Sequence, residues 1–493
     1  MTKVMLDGDG TLQQQICREL RASITTGNLA ANSRLAPSRV FAEDHGISRN
    51  TVIAAFDQLC AEGYLVTRQG AGTFVADIDS INDRAIPKAP RQKQEAQQLE
   101  LKPEWSAAAK RVITKVPEHL LLRQPRKKLR YNFLYGEPGY ADLPLEKWSR
   151  IIGRCARELT EKQLDYGPTA GLLELREALA GYLGRARGVN CDASQIFITQ
   201  GTQDAIDLNV KAFVDEGDSA VVEEPHYRGF RRCLMAQGAK IHAVQVDEFG
   251  LDTKRLNKVV GAKLALVTPS HQFPFGSVMS LSRRRQLLEW ASKHRTVVFE
   301  DDYDGEFRYE GKPIPSLQSL DKSGLVIYVG TASKMLFPSL RLGWMVVPKH
   351  LVAAFERLRS LTDSSGTILE QLAFAEFIER GHLERHIHKA RRAHQQRREM
   401  LLRTLEEELA GKVQVIGTQA GIHVLVRFLD LHSDRTSELV ELAARHEVAV
   451  FSAENYYSQT PEQVELLIGY AAMSPQQIRA GIKRLASVAG KLS

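Results

Sequence analysis

The chain has 493 residues, 43% of them hydrophobic and 25% charged, which suits about three domain-sized units and excludes wholesale disorder. No stretch approaches the ~20 uninterrupted apolar residues of a membrane helix, and the N-terminus carries no apolar signal core, so a cytoplasmic protein that is neither exported nor membrane-spanning is expected. Five cysteines (Cys17, Cys60, Cys155, Cys191 and Cys233) form no C-x-x-C pair and have no histidines at zinc spacing; they read as reduced packing residues, and no metal site is expected.

A first unit is predicted over residues 11–78. Leu12, Ile16, Leu20 and Ile24 recur four apart, one stripe of an amphipathic helix that ends at Gly27. A short helix follows Pro37, with Ser38 placed to cap it. Gly46 breaks the chain, and Ser48 opens a third helix whose Val52, Ala55, Phe56 and Leu59 share a face. Two short helices about a glycine turn are a helix-turn-helix pattern, and YLVTRQGAGTFV reads as a hairpin wing around residues 69–72.

L-A-P-S-R at Leu35 to Arg39, G-I-S-R-N-T-V at Gly46 to Val52, E-G-Y-L and G-A-G-T-F-V make this unit resemble the winged helix-turn-helix of GntR-type bacterial regulators. The family usually has L-P-S-S-R, so Pro37 stands one residue late. The resemblance implies double-stranded operator DNA as a partner. It places Arg39, Ser48, Arg49 and Thr51 on the major groove and phosphates, and Gln69 and Gly70 at the wing tip. The unit's near-zero net charge runs against phosphate binding, and a structural three-helix module with solvated arginines is the plainer alternative.

Residues 79–130 form a linker. It holds the whole charge excess, 13 Lys/Arg against 6 Asp/Glu in a chain of net +7. Asp79 to Leu99, with Pro87 and Pro90, is left without structure, a short helix is placed over Glu104 to Val112, and Gln124 to Arg130 is a basic cluster. A solvated tether is favoured over a cationic strap lying on DNA or on the larger domain.

Residues 131–493 alternate near-continuous apolar runs with helical stretches. The runs are IFIT (196–199), SAVVEE (219–224), IHAVQV (241–246), LALVT (264–268), TVVFED (296–301) and LVIYVG (325–330). They predict an α/β domain with a mixed, mostly parallel sheet covered on both faces, and a small α/β subdomain over about 349–493 with helices near 351–361 and 383–410.

Six motifs in order make this region resemble fold-type I aminotransferases: 166–183, 198–208, 221–230, 268–276, 298–309 and 329–348. With the N-terminal unit, the whole chain is similar to the MocR subfamily of GntR regulators. The resemblance implies pyridoxal 5′-phosphate, and Lys334, in a small-residue turn after a strand, as the Schiff-base lysine. A protonated ring nitrogen needs a buried carboxylate, and Asp301 matches, with Asp302 as competitor. Tyr303 falls on the ring oxygen, and Tyr227 where the family stacks an aromatic. Gly201, Thr202, Gln203, Ser333 and Arg341 fall on the phosphate. Tyr166 falls where the family reaches into the neighbouring subunit, which implies a homodimer with shared sites.

Two departures bear on function. Phe273-Pro274-Phe275-Gly276 stands where aminotransferases commonly have Asn-Pro, so His271 or Gln272 must supply the polar contact. VELLIGYAAM (464–473) lacks the late arginine that clamps a substrate carboxylate; Arg228 is the candidate effector-binding cation, about evenly matched with a solvent-facing arginine. The expected function is a DNA-binding transcription regulator whose aminotransferase-like domain senses a vitamin B6 or amino compound, with at most a weak half-reaction of transamination. The rivals are a working aminotransferase carrying a DNA-binding unit and a degenerate dimerising scaffold.

Overall fold

The computed structural model describes residues 7–77, 104–121, 129–310, 314–362 and 366–492. The chain divides into two compact units, Met1–Lys102 and Pro103–Ser493.

The first unit is a three-helix winged fold. Helix α1 (Leu12–Thr25) is opened by a capping box in which the Thr11 side chain takes the Gln14 amide while the Gln14 side chain returns to Thr11. Helix α2 (Ser38–His45) ends on Gly46 at φ 64°, a left-handed turn that favours glycine. The expected cap by Ser38 is not made: Pro37 takes the cap position without a side-chain bond, and Ser38 is the first helical residue. Helix α3 (Arg49–Ala61) is capped by Ser48, which accepts from the Asn50 amide. Ile16, Leu20, Ile24, Phe41, Val52, Ala55, Phe56 and Leu59 close one core with Leu65 and Val75 from the wing strands. Leu12, expected on the buried stripe, is 43% exposed because it stands in the first turn, short of that core. Strands β1 (Leu65–Arg68) and β2 (Gly72–Val75) pair antiparallel from Leu65↔Val75 to Arg68↔Gly72, which leaves residues 69–71 as the tip.

Of the linker, Asp79 to Leu99 and the basic residues Arg126, Lys127 and Lys128 lie outside the described residues. The expected short helix is α4 (Ala107–Lys115), capped by Ser106.

The larger unit is built on an eight-stranded sheet. Its strands are β3 (Ile196–Thr199), β4 (Ser219–Glu224), β5 (Lys240–Asp247), β6 (Gly250–Leu251), β7 (Ala262–Val267), β8 (Val297–Asp302), β9 (Val326–Thr331) and β10 (Gly343–Val346), in the order β3-β10-β9-β8-β7-β4-β5-β6. The pairs β9–β8, β8–β7, β7–β4 and β4–β5 are parallel, while β10 runs antiparallel to both of its neighbours. Each apolar run expected as a strand is one. β10, within the motif 329–348, fits between β3 and β9 because Gly343 has no Cβ, which would lie 2.9 Å from the Gly201 Cα. Alternate residues of β8 enter opposite cores, Val297 and Phe299 one and Val298 the other.

A four-stranded antiparallel sheet carries the second part of this unit: Val413–Ile416, His423–His432, Gln463–Gly469 and Phe451–Ser452 in that order. Its core draws on Leu401, Leu405, Ile482 and Leu485, and also on Tyr131 and Phe133 from before the large sheet. Phe355, Phe374 and Phe377, placed by sequence in the small subdomain, pack instead on the large sheet. The 28-residue helix His382–Leu409 joins the two parts, with Leu383 and Ile387 in one core and Leu401 and Leu405 in the other.

Candidate functional site

The parallel strands β3, β4, β8 and β9 end on one side of the large sheet, and a cavity of about 470 Å³ opens there. Clefts at the carboxyl ends of parallel strands are the usual ligand site of such folds.

Lys334 follows β9 through Ala332 and Ser333. Its Nζ donates to the Gly136 carbonyl at 2.7 Å, and a Cβ at Gly136 would lie 2.7 Å from that nitrogen. The amine is thus held into the cavity by a residue in the left-handed region, φ 73°, which favours glycine.

Across the cavity stands Asp301. The strand's two-residue period decides between the two carboxylates: Asp301 falls on the Phe299 side and lines the cavity, whereas Asp302 turns to the other face. There Asp302 meets Arg187 Nε at 2.6 Å and the Tyr328 hydroxyl at 2.8 Å. Asp301 Oδ1 is buried without a hydrogen-bond partner. Burial, then Asp302 and Asp304, push its carboxyl well above the usual range, with Lys334 opposing them.

Helix α5 (Thr202–Phe213) starts at Gly201, φ 94°, with no side-chain cap, so its first amides are free of the usual capping oxygen. Gly201, Thr202, Ser333 and Arg341 all line this end of the cavity, a set of amides, hydroxyls and a cation suited to a phosphate. Arg341 sits at φ 51°, and its guanidinium lies 3.7 Å from the position of a Gly201 Cβ. Gln203 lines the cavity too, but its Nε2 donates to Cys233 Sγ at 3.0 Å.

Tyr303 lines the cavity with its hydroxyl 2.9 Å from His271 Nδ1. Burial, then Asp304 and Asp301, raise its phenol well above the ordinary value, so it keeps its proton. The expected contacts from His271 and Gln272 do not reach the cavity wall, which Phe273 forms instead. His271 lies behind Tyr303, 2.9 Å from Asp304 Oδ2. Gln272 is engaged in shaping the turn: Nε2 donates to Glu223, Pro225 O and Phe273 O, and Oε1 accepts from the Phe275 amide.

Helix α6 (Arg228–Gln237) brings Tyr227, Arg228 and Arg232 to the wall. The Tyr227 ring meets Phe230 and Phe273 edge-on at 5.7 and 5.8 Å. Arg228 lies over the Tyr456 ring at 5.7 Å, and the Tyr456 hydroxyl bonds that of Tyr135. Tyr166 is 88% exposed and does not reach the cavity of its own chain.

Sequence reasoning missed Arg232, Glu223 and His423. Glu223 is pushed up to about 7 by burial, against hydrogen bonds from Thr268 and Gln272. His423, on the cavity wall, is held neutral by burial, His271 and Lys334. Donor atoms of His271, Asp304 and His423 lie within 4.8 Å of one another; residues so far apart in the chain give no spacing signal.

In the winged unit Ser48, Arg49 and Asn50 are exposed at the start of α3, and Gln69 and Gly70 at the wing tip; Thr51 is half-buried. Arg39 is exposed and pairs with Glu43 at 3.1 Å. Arg68 lies over Phe74 at 4.7 Å, and the Arg34 guanidinium stands beside Gly72. These two wing cations concentrate positive charge in a unit of near-zero total.

The family described as aminotransferase class I and II matches residues 136–485, and that of bacterial regulatory proteins, gntR family, matches residues 12–75. The probable rhizopine catabolism regulatory protein MocR of Rhizobium meliloti is 36% identical over 98% of this chain and 94% of its own. The HTH-type pyridoxine biosynthesis transcriptional regulator PdxR of Corynebacterium glutamicum is 28% identical over 95% and 94%. Among solved structures, the kynurenine aminotransferase of Pyrococcus horikoshii, in complex with PMP, is 29% identical with a TM-score of 0.69, covering 76% of this chain and 97% of its own.

Proposed function

Since the chain belongs to the class I and II aminotransferase family and, with its gntR-type unit, to the MocR-type regulators, we propose that it is a transcription regulator that binds operator DNA through α3 and the wing, holds pyridoxal 5′-phosphate around Lys334, and senses a vitamin B6 compound or an amine. Its site of action would then be the cytoplasm; among the described residues no helix is long and apolar enough to cross a membrane.

The observation that carries the cofactor reading is Asp301: a buried carboxyl with an unpartnered oxygen, opposite a lysine amine, in a cavity whose other end offers amides, hydroxyls and an arginine. A cationic ring N–H is what such a carboxyl lacks, and a phosphate is what the α5 start lacks, so the residues fit the group. When bound, pyridoxal phosphate supplies an aldehyde that condenses with primary amines, and an electron-poor ring. Lys334 would supply the protein's amine, Asp301 would hold the ring nitrogen's proton, and Tyr303, kept protonated, would donate to the ring oxygen. Gly201, Thr202, Ser333 and Arg341 would hold the phosphate, and Tyr227 would face the ring. Arg228, beside Tyr456 and on the wall, supports a role toward the effector.

We further propose a homodimer in which Tyr166 serves the partner's cavity; its 88% exposure, beside Leu164 at 71%, supports this. The test is to add pyridoxal phosphate to the full-length protein and to select its binding sequences from a random duplex library. A visible absorbance band lost in Lys334→Ala, together with a selected DNA sequence, supports the reading. Sustained amino-group turnover at ordinary enzymatic rates, about 10 per second, would instead make the chain an aminotransferase carrying a DNA-binding unit.

A further inference from the structure

Building on the cofactor cavity proposed above, we infer that the segment 107–121 is a regulatory clasp on helix α6, with Arg111 as its positioning residue, so that cavity occupancy and the hold on this segment are coupled. Helix α6 has two ends with different tasks. Its first turn, with Tyr227, Arg228 and Arg232, is cavity wall. At its far end, about 15 Å away for ten residues, the last carbonyls are met by Arg111: Nη1 donates to Gln237 O at 2.8 Å and to Ala236 O at 3.3 Å, and Nη2 donates to Glu216.

Two features show that this contact is built. Gly238 closes α6 at φ 82°, and a Cβ there would lie 3.1 Å from the Arg111 guanidinium. A cation at a helix C-terminus also complements the helix dipole and satisfies carbonyls that have no partner within the helix.

The hold is nevertheless light. Helix α4 has no buried residue, Ile113 is 61% exposed and Trp105 56%, and the apolar anchors are Val116 and Leu120. A nine-residue helix with no buried face of its own is marginal in isolation, and elements with few buried contacts open at low free energy. The segment therefore has a held and a released condition close in stability. It is also, in chain order, the described stretch that follows the winged unit and precedes the sheet domain. A ligand packed against Tyr227 fixes the position of α6, and with it the carbonyls that Arg111 grips. By linkage, holding the segment must tighten the ligand as much as the ligand tightens the segment.

The experiment uses full-length protein and pyridoxal phosphate as the probe. Deuterium uptake of residues 107–115 should slow when pyridoxal phosphate is added. Arg111→Gln should weaken pyridoxal phosphate, titrated by its visible absorbance, by about fivefold or more, and Arg111→Lys should recover part of this. Arg185→Gln, which breaks the exposed pair with Glu384, should leave both readouts unchanged. Uptake identical with and without pyridoxal phosphate in the wild type overturns the inference whether or not the variants fold. So does an Arg111→Gln protein in which the segment exchanges freely while affinity stays at the wild-type value. Absence of any Lys334-dependent band would instead remove the cofactor reading on which the inference stands.

Discussion

Asp301 and Asp302 are adjacent and chemically identical, yet they face different surroundings. Asp302 is held through Oδ2 by Arg187 and Tyr328 on the far face of the strand, while Asp301 faces the cavity with an unpartnered oxygen and Lys334 across from it. From this follows the prediction that borohydride reduction of the pyridoxal phosphate complex labels Lys334, and that Lys334→Ala yields no labelled peptide, as read by mass spectrometry. Label on another lysine would show that the cavity is not the cofactor site. Glu223 allows a pH prediction. Its folded value of about 7 lies above the ordinary 4.5, so the native state binds more protons than the unfolded state between those values, and stability falls as pH rises through that window. The shift corresponds to about 3 kcal/mol at most. Glu223→Gln mimics the protonated acid, so its melting temperature relative to wild type should rise between pH 5 and 8; a constant difference would mean that Glu223 ionises freely.

Helix α3 is the element that meets DNA in the proposed function, with Arg49 exposed in its first turn and Val52, Phe56 and Leu59 fixing its inner face. Arg49→Ala should weaken binding to a selected operator by about 1–3 kcal/mol where the side chain reads a base; unchanged affinity in a gel-shift titration would remove α3 from the interface. The elements differ in how far the sequence discloses them. Five of the six β-runs were legible because strands buried on both faces are continuous apolar stretches; the sixth, in β5, is apolar in sequence although only Val244 of it is buried. β10 was not legible, because it runs on within the motif that carries Lys334, and its place depends on the bare face of Gly343 against Gly201. The lysine, the carboxylate and the α5 start were legible from local motifs. His271 and Gln272 were misplaced, and Arg232, Glu223 and His423 overlooked, because what they face is set by elements distant in sequence.

At the scale of the molecule, exposed Tyr166 predicts that sites are completed between subunits. Lys334→Ala and Tyr166→Ala proteins, each impaired in covalent pyridoxal phosphate binding, should regain about a quarter of the wild-type sites when unfolded and refolded together in equal amounts, because one of the two sites in each mixed dimer is then intact. Mixtures that merely average the two parents would place Tyr166 outside the partner's cavity. The measurement that bears most directly on the central claim is one titration of the full-length protein with pyridoxal phosphate, following visible absorbance and operator affinity together. A Lys334-dependent absorbance change accompanied by a severalfold change in operator affinity is expected, with the affinity change absent in Lys334→Ala. Saturation of the cavity with no change in DNA affinity, or with steady amino-group turnover instead, would contradict it.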